Sequence, residues 1–149
     1  MRETPPTMLS SREEIAETIR KSGHRATSQR IAVYEALWKA GSHPNVSEIH
    51  KFASKTDPSI SLATVYKNLQ LFTEIGLVNE MGFRDGSTRY DPDVKFHINL
   101  VCNKCGRIED YDCISFEEIA PNLNQRAGFE VQSHNFEVSG LCSSCRSQD

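Results

Sequence analysis

Four cysteines in two CxxC pairs, Cys102-Asn103-Lys104-Cys105 and Cys142-Ser143-Ser144-Cys145, stand 36 residues apart in the second half of the chain. Each pair can offer two thiolates from one tight turn, and four thiolates in a tetrahedral array make a closed structural zinc site rather than a catalytic one. A redox CxxC needs only one pair at a strand-to-helix junction, whereas both pairs here lie beside glycine (Gly106 and Gly140), as knuckle turns do. Zinc in such a site contributes on the order of 10 kcal/mol to folding, so the second half is expected to depend on the metal. The remaining cysteine, Cys113, has no partner at useful spacing and reads as a small apolar residue, oxidisable if exposed.

A second donor set remains after the cysteines are used: His43, Asp91, His97, Asn99 and Asp110. His97 and Asn99 alternate along one strand face, and Asp110 follows the first knuckle. Each residue alone is an ordinary surface group, so the reading rests on the set. Imidazoles with carboxylate and amide oxygens suit ferrous iron or manganese rather than a thiolate-seeking ion. His43 lies far upstream of the others. An ion held by all of them would favour one angle between the two halves of the chain, and so couple metal supply to whatever the first half binds.

The elements that position these groups are legible in outline. Ser10 with Glu13 is expected to cap a helix that ends near Gly23. Thr27 opens a second helix with Ile31, Tyr34 and Trp38 at helical spacing, stopped at Gly41, and Asn45 with Glu48 caps a third. Ser61 caps a fourth, with Leu62, Val65, Leu69 and Phe72 as its buried seam and Thr64, Tyr66, Lys67 and Asn68 on the other face. Two alternating runs, 77–83 and 87–90, meet at Asp85-Gly86, a hairpin signal. This is the order of a winged helix-turn-helix, whose fourth helix enters the major groove while the hairpin flanks the backbone. Ser61, Ala63, Thr64, Tyr66 and Lys67 are the expected DNA-reading residues, with Arg84 and Arg89 reaching phosphates from the wing. Beyond Asp91-Pro92, a strand over 97–101, a strand over 108–111, a helix capped by Ser115 with Glu118, and a strand over 129–138 form a small α/β unit. Its short sheet calls for a second copy. The fold class is therefore α+β: a DNA-binding domain over 1–90, a hinge over 91–96, and a dimerisation and zinc domain over 97–149.

Bulk properties agree with this division. The 149 residues carry a net charge of −3, but residues 1–90 hold 12 Lys/Arg against 10 Asp/Glu, and residues 91–149 hold 5 against 10. The basic material lies where DNA binding is expected. The absence of a long apolar run and of a basic-then-apolar leader predicts a cytoplasmic protein with reduced thiols available for metal.

The runs Arg25-Ala26-Thr27-Ser28-Gln29-Arg30, His43-Pro44, Glu48-Ile49-His50, Pro58 to Tyr66, Gly76-Leu77-Val78, Arg89-Tyr90-Asp91, Cys102 to Gly106 and Gly140 to Cys145 resemble the ferric uptake regulator (Fur) superfamily over nearly the whole chain. The resemblance implies a homodimeric, metal-dependent repressor that binds operator double-stranded DNA, and not an enzyme. Asp at positions 91 and 110, where iron-sensing members usually carry Glu, is similar to the peroxide-sensing PerR branch. In that branch the residues matching His43 and His97 bind ferrous iron and are the oxidation targets of hydrogen peroxide. One departure is His97-Ile98-Asn99, where the branch usually has His-x-His. An amide oxygen is a weaker ligand and shifts the balance toward manganese. A His at the position of His134 serves a further site in some members, but the imidazole that would complete it is missing, so His134 reads as structural. The alternatives are an iron, manganese or zinc uptake regulator without peroxide sensing and, in a different class, a thiol redox enzyme or metal store.

Overall fold

The computed structural model describes residues 8–83, 86–112, 115–131 and 134–147, so Arg84, Asp85 and Cys113 lie outside the described residues. The chain divides into two compact units, Met1–Val94 and Lys95–Asp149.

The first unit runs α1 (Arg12–Lys21), α2 (Ser28–Lys39), α3 (Val46–Thr56), α4 (Leu62–Glu74), β1 (Asn79–Gly82) and β2 (Thr88–Asp91). Each helix begins at a side chain that accepts a backbone N–H: Ser11, Thr27, Asn45 and Ser61. The first cap is one residue later than expected, because the Glu14 carboxylate reaches back to the backbone N–H groups of both Ser10 and Ser11. Asn45 and Glu48 form the expected reciprocal box. The strands pair antiparallel with Met81 opposite Arg89. Ile19, Val33, Leu37, Ile49, Val65, Leu69 and Phe72 are fully buried and knit the four helices into one core. Tyr34 meets the Phe72 ring edge-on at 5.8 Å.

In the second unit, β3 (Ile98–Cys102) is central, with β4 (Ile108–Tyr111) antiparallel on one side and β5 (Phe136–Gly140) parallel on the other. α5 (Phe116–Ala127) and the short α6 (Ser143–Arg146) complete it. The last strand is shorter than the expected 129–138 run, since it begins only at Phe136, where pairing opposite Ile98 starts. Ser115 precedes α5 but gives no side-chain cap bond, so the expected capping box is absent there. Among the described residues of this unit, the buried ones are His97, Asn99, Cys102 and Cys145, every one a metal-ligand type, while Tyr111, Phe129, Val138 and Leu141 are exposed. No buried apolar cluster among the described residues of this unit matches that of the first.

The first unit therefore answers to ordinary packing. Phe72→Ala is expected to destabilise it by about 3–5 kcal/mol, read by denaturant unfolding, without loss of bound metal from the cysteines.

Candidate metal centres and DNA-reading face

Cys102 closes β3, and the chain turns back at once. The Gly106 N–H bonds the Cys102 carbonyl at 2.9 Å, and the Cys102 N–H bonds the Arg107 carbonyl at 2.9 Å. Gly106 takes φ +74°, a left-handed conformation that glycine adopts without strain. The second pair arrives from β5 on a neighbouring strand. Asn103 donates to the Gly140 carbonyl at 2.8 Å, Cys142 is the N-cap residue of α6, and Cys145 is buried one turn on. All four sulfurs lie within 4.8 Å of one another, with Cys105 and Cys142 3.8 Å apart. Tetrahedral zinc with Zn–S bonds of about 2.3 Å requires S···S separations near about 3.8 Å, so the tetrad fits this ion.

The electrostatics agree. Backbone N–H groups of Cys142, Cys105 and Lys104 converge on the Cys102 sulfur and pull its pKa down to about 6. Crowding by the neighbouring thiols, Cys142 first, together with burial, pushes Cys145 up to about 12. One sulfur of the cluster readily becomes an anion and another resists, as expected of four thiols that need a cation before all can ionise.

The oxygen and imidazole donors form two sets, one in each unit. In the first, the His43 Nε2 lies 3.8 Å from Asp91 Oδ2, with both side chains buried. In the second, His97 Nε2 lies 3.8 Å from Asp110 Oδ1. His97 Nδ1 sits 2.9 Å from the Lys95 carbonyl. A carbonyl has no hydrogen to give, so Nδ1 carries the proton, and a neutral ring presents its lone pair at Nε2, the atom nearest Asp110. Asn99 pairs in register with Asp110, which puts both side chains on the sheet face that His97 shares. The Asn99 amide N–H is directed at Asn135 Oδ1, 3.4 Å away. His134 stacks edge-on against Phe96 at 5.3 Å, and burial lowers its pKa, in keeping with a structural role.

The fourth helix presents a stripe of Ser61, Leu62, Ala63, Tyr66, Lys67 and Gln70 to solvent. Two assignments change. Leu62, expected in the buried seam, is 48% exposed, because the first turn of α4 overhangs the core that begins at Val65. Asn68, expected on the outer face, is buried and donates to the Thr64 carbonyl at 2.8 Å. The Ser61 hydroxyl is committed to the cap, accepting the Thr64 N–H and touching Thr64 Oγ1. Tyr66, 56% exposed, and Lys67 remain open for contact. Arg89 does not extend outward; its guanidinium binds the His43 carbonyl at 3.1 Å and approaches Glu48 at 3.5 Å. The sequence reading also missed His50, whose Nε2 lies 2.9 Å from the Ile60 carbonyl and fixes the turn before α4. Its place in a helix-then-turn segment was visible, but its partner was not.

A winged helix followed by an α/β unit with a thiolate tetrad defines a metal-dependent DNA-binding regulator. The model of the ferric uptake regulator family matches residues 21–139. The peroxide-responsive repressor PerR of Staphylococcus epidermidis is 36% identical over 136 residues, covering 91% of each chain. Among solved structures, the Campylobacter jejuni peroxide stress regulator is 34% identical with a TM-score of 0.66, covering 92% of this chain and 100% of its own. A zinc-bound manganese uptake regulator is 29% identical with a TM-score of 0.59, covering 85% and 96%. The chain belongs to the ferric uptake regulator family, in its PerR branch, and is a transcription regulator rather than an enzyme. Among the described residues no helix is long and apolar enough to cross a membrane.

Cys102→Ser is expected to lose zinc and unfold the second unit, seen as one metal equivalent missing by elemental analysis and a lost far-ultraviolet dichroism contribution; a folded, metal-free dimer would contradict it. Tyr66→Ala is expected to cost about 1–3 kcal/mol of operator affinity while metal content stays at the wild-type level, measured by fluorescence anisotropy with labelled duplex.

Proposed function

We propose that this protein is a homodimeric, metal-activated transcriptional repressor that senses hydrogen peroxide through iron-dependent oxidation of His43 and His97. Cys102, Cys105, Cys142 and Cys145 hold a structural zinc ion. His43 and Asp91 from the first unit, with His97, Asn99 and Asp110 from the second, hold a regulatory ferrous or manganous ion. Binding of that ion favours operator binding by Ser61, Ala63, Thr64, Tyr66 and Lys67. Val138 and Leu141, exposed on the second unit, supply apolar surface for pairing with a second copy.

The observation that carries this reading is the local geometry of the two donor sets. Each contains an imidazole nitrogen 3.8 Å from an aspartate oxygen, and the His97 tautomer leaves its lone pair on that nitrogen. Ferrous iron there would supply the electron that splits the O–O bond of peroxide and so place an oxidant beside both rings. The response then belongs to this chain's own residues. An imidazole that gains oxygen is a poorer ligand, the regulatory ion is released, and DNA affinity falls.

The second reading is a manganese-responsive regulator without peroxide sensing. The neutral Asn99 oxygen in place of a second strand imidazole favours it, as does likeness to a protein named manganese uptake regulator.

Zinc-loaded protein given ferrous iron without oxygen and then hydrogen peroxide is expected to gain one oxygen atom on His43 or His97 by peptide mass spectrometry, with loss of operator binding. A manganese-loaded sample is expected to stay unmodified. Unmodified histidines and retained DNA binding in the iron sample would instead favour the manganese reading. His43→Ala is expected to keep zinc and dimer but lose manganese-activated operator binding.

A further inference from the structure

We infer that Arg89 is a positioning residue for the His43–Asp91 half of the regulatory site and not a phosphate contact. It holds the backbone of His43 against the strand that carries Asp91. The inference rests on the proposal above that these two side chains are ligands.

His43 lies in the short connection between α2 and α3, where no helix or strand fixes its backbone. Three bonds do so. The Tyr90 N–H donates to the Pro44 carbonyl at 2.9 Å. Arg89 Nη1 donates to the His43 carbonyl at 3.1 Å. The Asn45 N–H donates to Glu48 Oε2 at 2.8 Å, and Arg89 Nη1 stands 3.5 Å from that same oxygen. Glu48 thus caps α3 and anchors Arg89 at once.

Strand periodicity explains why Arg89 in particular does this. Residues two apart on a strand project to one face, so Arg89 and Asp91 leave β2 on the same side. One takes the His43 carbonyl and the other faces the His43 imidazole at 3.8 Å. Backbone and side chain of a single loop residue are referred to one strand. The separation of the two ligands is thereby set before any ion arrives, which lowers the ordering cost of binding. The Arg89 side chain is 36% exposed, with its charge directed to Glu48, which leaves it poorly placed for a phosphate.

The test uses full-length zinc-loaded protein, Mn²⁺ as the probe, and a duplex selected from a random pool by the Mn²⁺-loaded wild type. Free Mn²⁺ is followed by electron paramagnetic resonance, and operator binding is measured over a range of salt. Arg89→Ala is expected to weaken Mn²⁺ binding by about tenfold or more, as loss of a supporting hydrogen bond does at other metal sites. At saturating Mn²⁺ its operator binding is expected to recover, with the wild-type salt slope. Arg89→Lys, which can still donate to the carbonyl, is expected to regain part of the Mn²⁺ affinity. Glu48→Gln, which keeps the cap acceptor but removes the negative charge that faces Arg89, is expected to show a smaller loss. Unchanged Mn²⁺ affinity in Arg89→Ala would overturn the inference, as would a salt slope reduced by about one, the signature of a lost phosphate contact. Should Arg89→Ala fail to fold, Glu48→Gln decides, and wild-type Mn²⁺ affinity there overturns it. Equal Mn²⁺ binding by wild type and His43→Ala would remove the regulatory-site reading itself, a result separable from any effect of Arg89.

Discussion

Four sulfurs held within 4.8 Å of one another cannot all be anionic without a cation among them, and few other described residues of the second unit are buried. Its described buried residues are two cysteines, a histidine and an asparagine. In the first unit the interior is aliphatic and aromatic, and burial of side chains such as Phe72 and Ile19 supplies the driving force. In the second, the described buried side chains are polar or sulfur-bearing, and the cysteine tetrad is the group that could hold a metal ion. Val138 and Leu141 remain exposed on this unit, whose described sheet has only three strands.

The two donor sets are assembled by their neighbours rather than by unusual side chains. None of their members is chemically unusual. Register sets Asn99 beside Asp110, one carbonyl fixes the tautomer of His97, and strand periodicity puts Arg89 and Asp91 on one face toward His43. Oxygen and imidazole donors accept ferrous, manganous and zinc ions, so geometry and metal supply decide the occupant of such a set, whereas a tetrad of thiolates suits zinc. Position 99 offers an amide oxygen rather than the imidazole that the family resemblance implies.

At the DNA-reading face, position along the helix matters as much as side-chain type. The first turn of α4 overhangs the core, so Leu62 is exposed although its spacing matches the buried seam. Asn68 lies within the core's reach, and a bond to the Thr64 carbonyl makes its burial tolerable. The turn before the helix is set from α3 by His50 and from α2 by Gln29, which donates to Ser59 at 3.1 Å. The candidate DNA-reading helix is thus oriented by two neighbours that do not themselves form its exposed stripe.

The sequence by itself determined what depends on short-range chemistry. The CxxC spacing, the caps at Thr27, Asn45 and Ser61, and the element order of the winged helix each come from residues only a few positions apart, where side chain and backbone geometry leave few choices. The candidate metal ligands were legible in the sequence as residue types, and the structure places them as His43 with Asp91 and as His97 with Asp110. Tertiary structure alone decided which atoms face one another across long stretches of chain. Arg89, read from its charge as a phosphate contact, closes instead on a carbonyl 46 residues away. The start of β5 at Phe136 is set by pairing with β3, and the exposure of Leu62 by where the core ends. Local patterns fix periodicity and caps, but a partner distant in sequence is chosen by packing, which no local pattern encodes.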